Sequence, residues 1–206
     1  MLSHIFLLSA QYDPASVLPA HHSHWLVVLS LLIAVAASCM ALQVGGLARR
    51  TPAGFHRNFA VFSGAAALGG GIWAMHFVGM LAMDAGLAVH YAPDVTALSL
   101  LPAFFASWIA LRMFARGGVT RRELIIGGVC VGVGIGAMHY TGMAAMRMEA
   151  ALRLDPWWFL ASLVVAVVMA ILALWIRFGI LDRTSATEWQ AVLGGGTVMG
   201  LAIASM

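Results

Sequence analysis

Six apolar stretches fill almost the whole chain: Trp25 to Ala48, Asn58 to Met83, Val95 to Phe114, Glu123 to Met146, Pro156 to Ile176 and Trp189 to Met206. Each is close to the roughly 20 residues that a helix needs to cross a bilayer. In hydrocarbon the backbone has no water to bond, and a helix satisfies its N–H and C=O groups internally. With 62% hydrophobic and only 9% charged residues, the remainder makes short polar loops and leaves no room for a soluble domain. The expected fold class is therefore all-α, a polytopic transmembrane helix bundle of six spans.

The arginines give the bundle a direction. Arg49, Arg50 and Arg57, then Arg112, Arg116, Arg121 and Arg122, then Arg177 and Arg183 fall at one set of span ends, and only Arg147 and Arg153 at the other. Short basic loops stay cytoplasmic, so both chain ends are expected outside and the basic loops inside. Trp25, Trp157 and Trp158 then mark the outer interface and Trp108, Trp175 and Trp189 the inner one, as in an aromatic belt. A pI near 9.4 can signal nucleic acid, but arginines spread over separate loops form no stripe, and no nucleic-acid partner is expected. Residues 1–24 are expected as an extracytoplasmic segment and 25–206 as the membrane domain. Ile5 to Ala10 is too short for a span and has no basic residue before it, which makes an unconvincing signal peptide.

Two spans carry near-copies of one peptide, Met75-His76-Phe77-Val78-Gly79-Met80 and Met138-His139-Tyr140-Thr141-Gly142-Met143. Counting back from Met75, Met138 and Met206, the sixth residue is Gly69, Gly132 and Gly200, and the tenth is Ala65, Gly128 and Gly196. Spans two, four and six thus share a template at separations of 63 and 68 residues, which makes the chain three repeated helix pairs. Small residues four apart, as in Gly128/Gly132/Gly136 and Gly196/Gly200/Ala204, permit close backbone approach in lipid. The three motif helices are accordingly expected to pack against one another, with spans three and five nearer lipid.

An ionisable side chain inside a span points to function. His76 and Met80, like His139 and Met143, are four residues apart and share a helical face. Imidazole with thioether suits Cu(I) best among common biological metals and offers nothing to Mg or Ca. His76 lies eight residues before Asp84, and His139 eight before Arg147. At 1.5 Å per residue both sit about 12 Å below the outer boundary and can meet. Met75, Met138 and Met206 adjoin the histidine positions, whereas Met83 and Met146, about 10 Å along the axis from them, belong to an outer site or to packing. Tyr140 and Thr141 can orient an imidazole, although Phe77 and Val78 stand at those positions in the first copy. In the run His21-His22-Ser23-His24, His24 borders the first span and can lean over the site. Cys39 and Cys130 lie too deep to join the histidines and serve packing. A single Met-His pair is adequately explained as core packing; two copies at equal depth on equivalent helices favour a site.

At these residues the chain resembles the MHYT family of bacterial membrane sensor domains, named for the tetrapeptide found here as Met138-His139-Tyr140-Thr141. The first span, with Ser30 and Ser38, is also similar to the family, and the third motif stops at Met206, where its histidine would follow. The resemblance implies a sensor in the bacterial inner membrane that binds copper and, through it, a diatomic gas such as O2, CO or NO. It also implies cytoplasmic cyclic-di-GMP synthase (GGDEF) or phosphodiesterase (EAL) modules in cis, so that the full-length protein is an enzyme although this segment is not. Asp13, Asp84, Asp94, Glu149 and Asp155 are scattered through outer loops and form no catalytic group. The expected partners are the lipid bilayer, the gas and the output modules, with a homodimer as a further option. Three alternatives stand beside the copper sensor: a haem held by His76 and His139, a copper transporter and a plain membrane anchor.

Overall fold

Residues 21–84, 88–116, 118–147, 155–180 and 188–204 are described by the computed structural model. Arg153, Arg183 and Met206 lie outside them. The elements are β1 (His21–His22), α1 (His24–Arg50), α2 (Phe55–Leu81), β2 (Met83–Asp84), β3 (His90–Tyr91), α3 (Pro93–Leu98), α4 (Leu100–Phe114), α5 (Arg121–Ala144), β4 (Met146–Arg147), α6 (Pro156–Trp175) and α7 (Glu188–Ala204). Five helical spans are long and apolar enough to cross a membrane, α3 and α4 counting together. The sixth expected span is α7, whose apolar part, Val192–Leu201, is shorter.

Local chemistry sets the helix ends. Thr120 and Glu123 form a reciprocal capping box at the start of α5, with Glu123 N–H to Thr120 Oγ1 at 3.2 Å and Thr120 N–H to Glu123 Oε2 at 2.9 Å. Asp155 caps α6 by accepting from the Trp157 amide at 2.8 Å, and Pro156 opens that helix where no N–H is needed. The span Pro93–Phe114 breaks at Ser99 because Pro102 lacks a donor and its ring crowds the carbonyl four residues back. The Trp73 indole caps the break, donating to the Thr96 carbonyl at 3.1 Å and to Ser99 Oγ at 3.0 Å. After Trp175 the chain makes a π turn, Ile176–Ile180.

The bundle is a ring. Helices α1, α2, α4, α5, α6 and α7 pack in that order, and α7 closes onto α1. Three antiparallel pairs, α1/α2, α4/α5 and α6/α7, are the repeats expected from the motif spacing. The first two carry matching clasps at the motif end: β1 pairs antiparallel with β2 and β3 with β4. In each clasp an amide bonds the residue after the motif helix, Ser23 N–H to Ala82 O and Ala92 N–H to Ala145 O, both at 2.8 Å.

The expectation that glycines bring the three motif helices together is corrected. Their glycines form two faces, and both meet other helices. One faces the next repeat: a methyl on Gly69 would lie 2.9 Å from Phe104 Cα, on Gly132 2.5 Å from Val167 Cα, and on Gly200 2.6 Å from Val35 Cα. Gly128 and Gly196 abut Ile171 and Cys39 in the same way, at 2.9 Å from each Cα. The second face meets the partner within the repeat: Gly71 abuts Ala37 and Gly134 abuts Ala106, with methyl-to-Cβ distances of 2.5 and 2.8 Å. Glycines therefore seam α2 and α5 to both flanks and α7 to α1. The three motif helices turn bulky residues inward instead: Leu68, Val131 and Met199, then Ile72, Ile135 and Ile203, all buried in one core. Both sets recur at equivalent positions, seven and three residues before Met75, Met138 and Met206. Exposed apolar residues such as Phe59, Phe105, Val133 and Val164 cover the outside of the ring, where a lipid-facing surface needs no polar groups.

These contacts also expose a repeat in the outer helices that the motif count missed. Ala34, Ala103 and Ala166 occupy the same place against Gly200, Gly69 and Gly132. The same offsets of 69 and 63 residues align Ser30, Ser99 and Ser162, and Leu42, Leu111 and Leu174.

Candidate metal centre

His76 and His139 meet at the motif end of the bundle. Their Nδ1 atoms are 3.4 Å apart, and their ring centroids 4.8 Å with planes inclined at 60°. A tetrahedral ion bound at about 2.0–2.1 Å holds two nitrogens roughly 3.3 Å apart, so the spacing suits joint ligation. The contact depends on a glycine: a methyl on Gly142 would stand 2.8 Å from His76 Nε2. That nitrogen is buried and has no hydrogen-bond partner among the described residues. An unpaired buried imidazole nitrogen is costly, and a second ligation or a proton acceptor would relieve it.

Above the pair opens a cavity of ≈ 520 Å³ whose walls include Met75, Met80, Met138 and Met143. Met75 and Met138 are buried, and Met83 and Met146 stand at the outer lip. Six thioethers thus border the space into which the imidazoles project. Among the described residues no group of three or more His, Cys, Asp or Glu side chains gathers anywhere. Any ion held here would take two imidazoles and complete its shell from sulfur, a donor set that fits Cu(I).

The remaining sequence candidates fall differently. His24 is exposed at the start of α1 and does not border the cavity; His22 does, placed by the pairing of β1 with Met83 on β2. Tyr140 and Thr141 do not hydrogen-bond an imidazole. The Tyr140 hydroxyl bonds Ser162 on α6, and Thr141 Oγ1 donates to the Ala137 carbonyl at 2.6 Å. Tyr140 touches His139 through its ring instead, edge to face at 5.0 Å. Ser30 and Ser162 also line the cavity, Ser30 donating to the Met75 carbonyl at 2.9 Å. The 69- and 63-residue offsets of the outer helices were the signal that could have found them. Cys39 bonds the Val192 carbonyl at 3.6 Å and Cys130 is exposed on α5, both away from the histidines.

The chain matches the family model described as MHYT, bacterial signalling protein N-terminal repeat, over residues 69–127 and 132–193. It is similar to the bifunctional diguanylate cyclase/cyclic di-GMP phosphodiesterase MucR of Pseudomonas aeruginosa, with 40% identity over 88% of this chain and 26% of MucR. To the cyclic di-GMP phosphodiesterase NbdA of the same organism it is 38% identical over 90% of this chain and 23% of NbdA. The signaling protein YkoW of Bacillus subtilis shares 29% identity over 88% of this chain and 22% of its own length. The chain therefore spans about a quarter of the length of these relatives. No solved structure matches it.

Proposed function

Because the chain belongs to the MHYT family of bacterial signalling proteins, we propose that its bundle is a membrane sensor domain that holds a copper ion between His76 and His139 and controls a cyclic-di-GMP output module in cis. The observation that carries the reading is the 3.4 Å approach of two imidazole nitrogens from equivalent helices under a canopy of methionine sulfur. Copper would supply a redox-active centre open to a diatomic gas. The chain's own residues do the rest. Gly142 lets His76 reach the partner ring, Met80 and Met143 offer soft donors one turn above their histidines, and Met75 and Met138 close the floor. The histidines join α2 to α5, two helices that otherwise touch little, so a change in preferred ligand geometry would act directly on their separation.

The arginine ends of the helices face the cytoplasm in this reading, with the amino terminus and the histidine layer outside, in the bacterial inner membrane. The output modules follow from the relatives, whose names describe cyclic-di-GMP enzymes. The haem alternative is opposed by the geometry, since a porphyrin between the rings would have to part them. A transporter would require a series of ligands through the basic half, where the core packs Leu68, Val131 and Leu174 around the separate, unrepeated thioethers of Met113 and Met199. Copper analysis of the full-length protein, beside its His76→Ala and His139→Ala variants, tests the reading. Copper in the wild type and its loss in both variants is the expected result. A porphyrin spectrum with iron, or no metal in the wild type, would overturn it.

A further inference from the structure

At the arginine end of the bundle the repeat of the outer helices breaks. Along α1, α4 and α6 it recurs unchanged at offsets of 69 and 63 residues, as Ala34/Ala103/Ala166, Ala41/Ala110/Ala173 and Leu42/Leu111/Leu174. Three residues further on, the same offsets give Gly45, Phe114 and Arg177, and these unlike residues fit one another. A methyl on Gly45 would stand 2.7 Å from Phe114 Cβ, so α1 makes room for the phenyl ring. The Arg177 guanidinium lies 5.7 Å from the centre of that ring and 5.6 Å from the centre of Phe178. Phe114 is fully buried, and Arg177, 7% exposed, is the one buried charged side chain among the described residues. Arg57 of α2 holds the same turn of α4, donating to the Ala115 carbonyl at 2.5 Å. Contacts from α1, α2 and the π turn thus close on the last turn of α4, at the end of the ring away from the histidines.

A guanidinium taken out of water loses its hydration, and the faces of two phenyl rings offset part of that loss. The π turn Ile176–Ile180, which carries Arg177, provides a way back to water. It closes its hydrogen bonds over one residue more than α6 does. It also lies beyond Val167 and Ile171, where Gly132 and Gly128 fix α6. Tightening it into α-helix would turn Arg177 off Phe114 and leave those seams intact, and the long side chain reaches the aqueous end of the span. We infer that Arg177 and Phe114 form a two-position catch: with the guanidinium on the ring the arginine end of the bundle is shut, and with the guanidinium in water the π turn lets go of α4. That the catch passes on a signal from the histidines rests on the sensor reading above; its two positions do not.

Two substitutions of Arg177 that act in opposite directions test the catch. Hydrogen–deuterium exchange of the full-length protein in lipid nanodiscs, read by mass spectrometry, follows the amides of residues 176–180 and 112–116. Arg177→Met should slow their exchange by about tenfold or more, because a side chain of similar length without charge has no hydration to regain and stays on the ring. Arg177→Glu should speed it, since a carboxylate is repelled by the negative faces of Phe114 and Phe178. Should that variant fail to fold, Gly45→Ala, whose methyl displaces Phe114, should speed it likewise. Exchange around His139 should stay unchanged in the Met variant. Exchange in Arg177→Met equal to or faster than in the wild type would overturn the catch, because an arginine that only holds the fold together would loosen it on any replacement. Slower exchange in Arg177→Glu, or in Gly45→Ala, would overturn it as well. Failure of these results in protein that binds copper would sink the catch and spare the metal reading, and the expected exchange in protein without copper would do the reverse.

Discussion

Gly132→Ala is the most exacting test of the ring. The added methyl would stand 2.5 Å from Val167 Cα, 2.8 Å from Val167 N and 3.0 Å from the Ala166 carbonyl carbon, all backbone atoms that no rotamer change can move aside. Ordinary contact begins at 3.4 Å, so α5 and α6 must part locally by roughly 0.9 Å. A gap of 0.5–1 Å forfeits about a quarter to a half of each dispersion contact, and in lipid those contacts are the main force between helices. Overpacking of this kind costs about 1–3 kcal/mol. The control is Gly70→Ala, where nothing lies within 4 Å of the new methyl and the gain in helix propensity, up to about 1 kcal/mol, is the only effect. Denaturant titration of the two variants in micelles, followed by helical circular dichroism, should separate them by about 1–3 kcal/mol, because both gain the same helix propensity and only Gly132→Ala meets a backbone wall. Equal stability of the two variants would refute the seam.

Gly142→Ala should weaken copper binding by about 10–100-fold, the usual effect of disturbing a group that positions a ligand, because the methyl would displace His76 Nε2 from 2.8 Å away; titration of the metal checks this, and unchanged affinity would dissociate the glycine from the histidine. Met83→Leu should lower copper occupancy less than His139→Ala does, since Met83 stands at the exposed lip of the cavity; metal analysis of both decides it. Reporter fusions after Arg57 and Arg122 should read cytoplasmic, and an external signal at either would reverse the orientation.

Much of this was legible in the residues. Apolar runs of spanning length dictate helices in lipid, and the recurrence of Met-His with glycine at fixed offsets marks equivalent helices and equal depth. That depth, counted at 1.5 Å per residue, is why His76 and His139 could be expected to meet, as they do at 3.4 Å. What the sequence left undetermined is which neighbour each face meets. On a helix in lipid the outward and inward residues are equally apolar, so the pattern lacks the contrast that orients a helix in water. Glycine spacing showed that close approach was allowed, yet only the ring assigned Gly132 to α6 and Gly200 to α1. The same holds for His22, which reaches the cavity through a strand pairing with Met83. Such contacts join residues far apart in the chain, and their partners are fixed by which helices stand side by side in the ring, which no local pattern encodes.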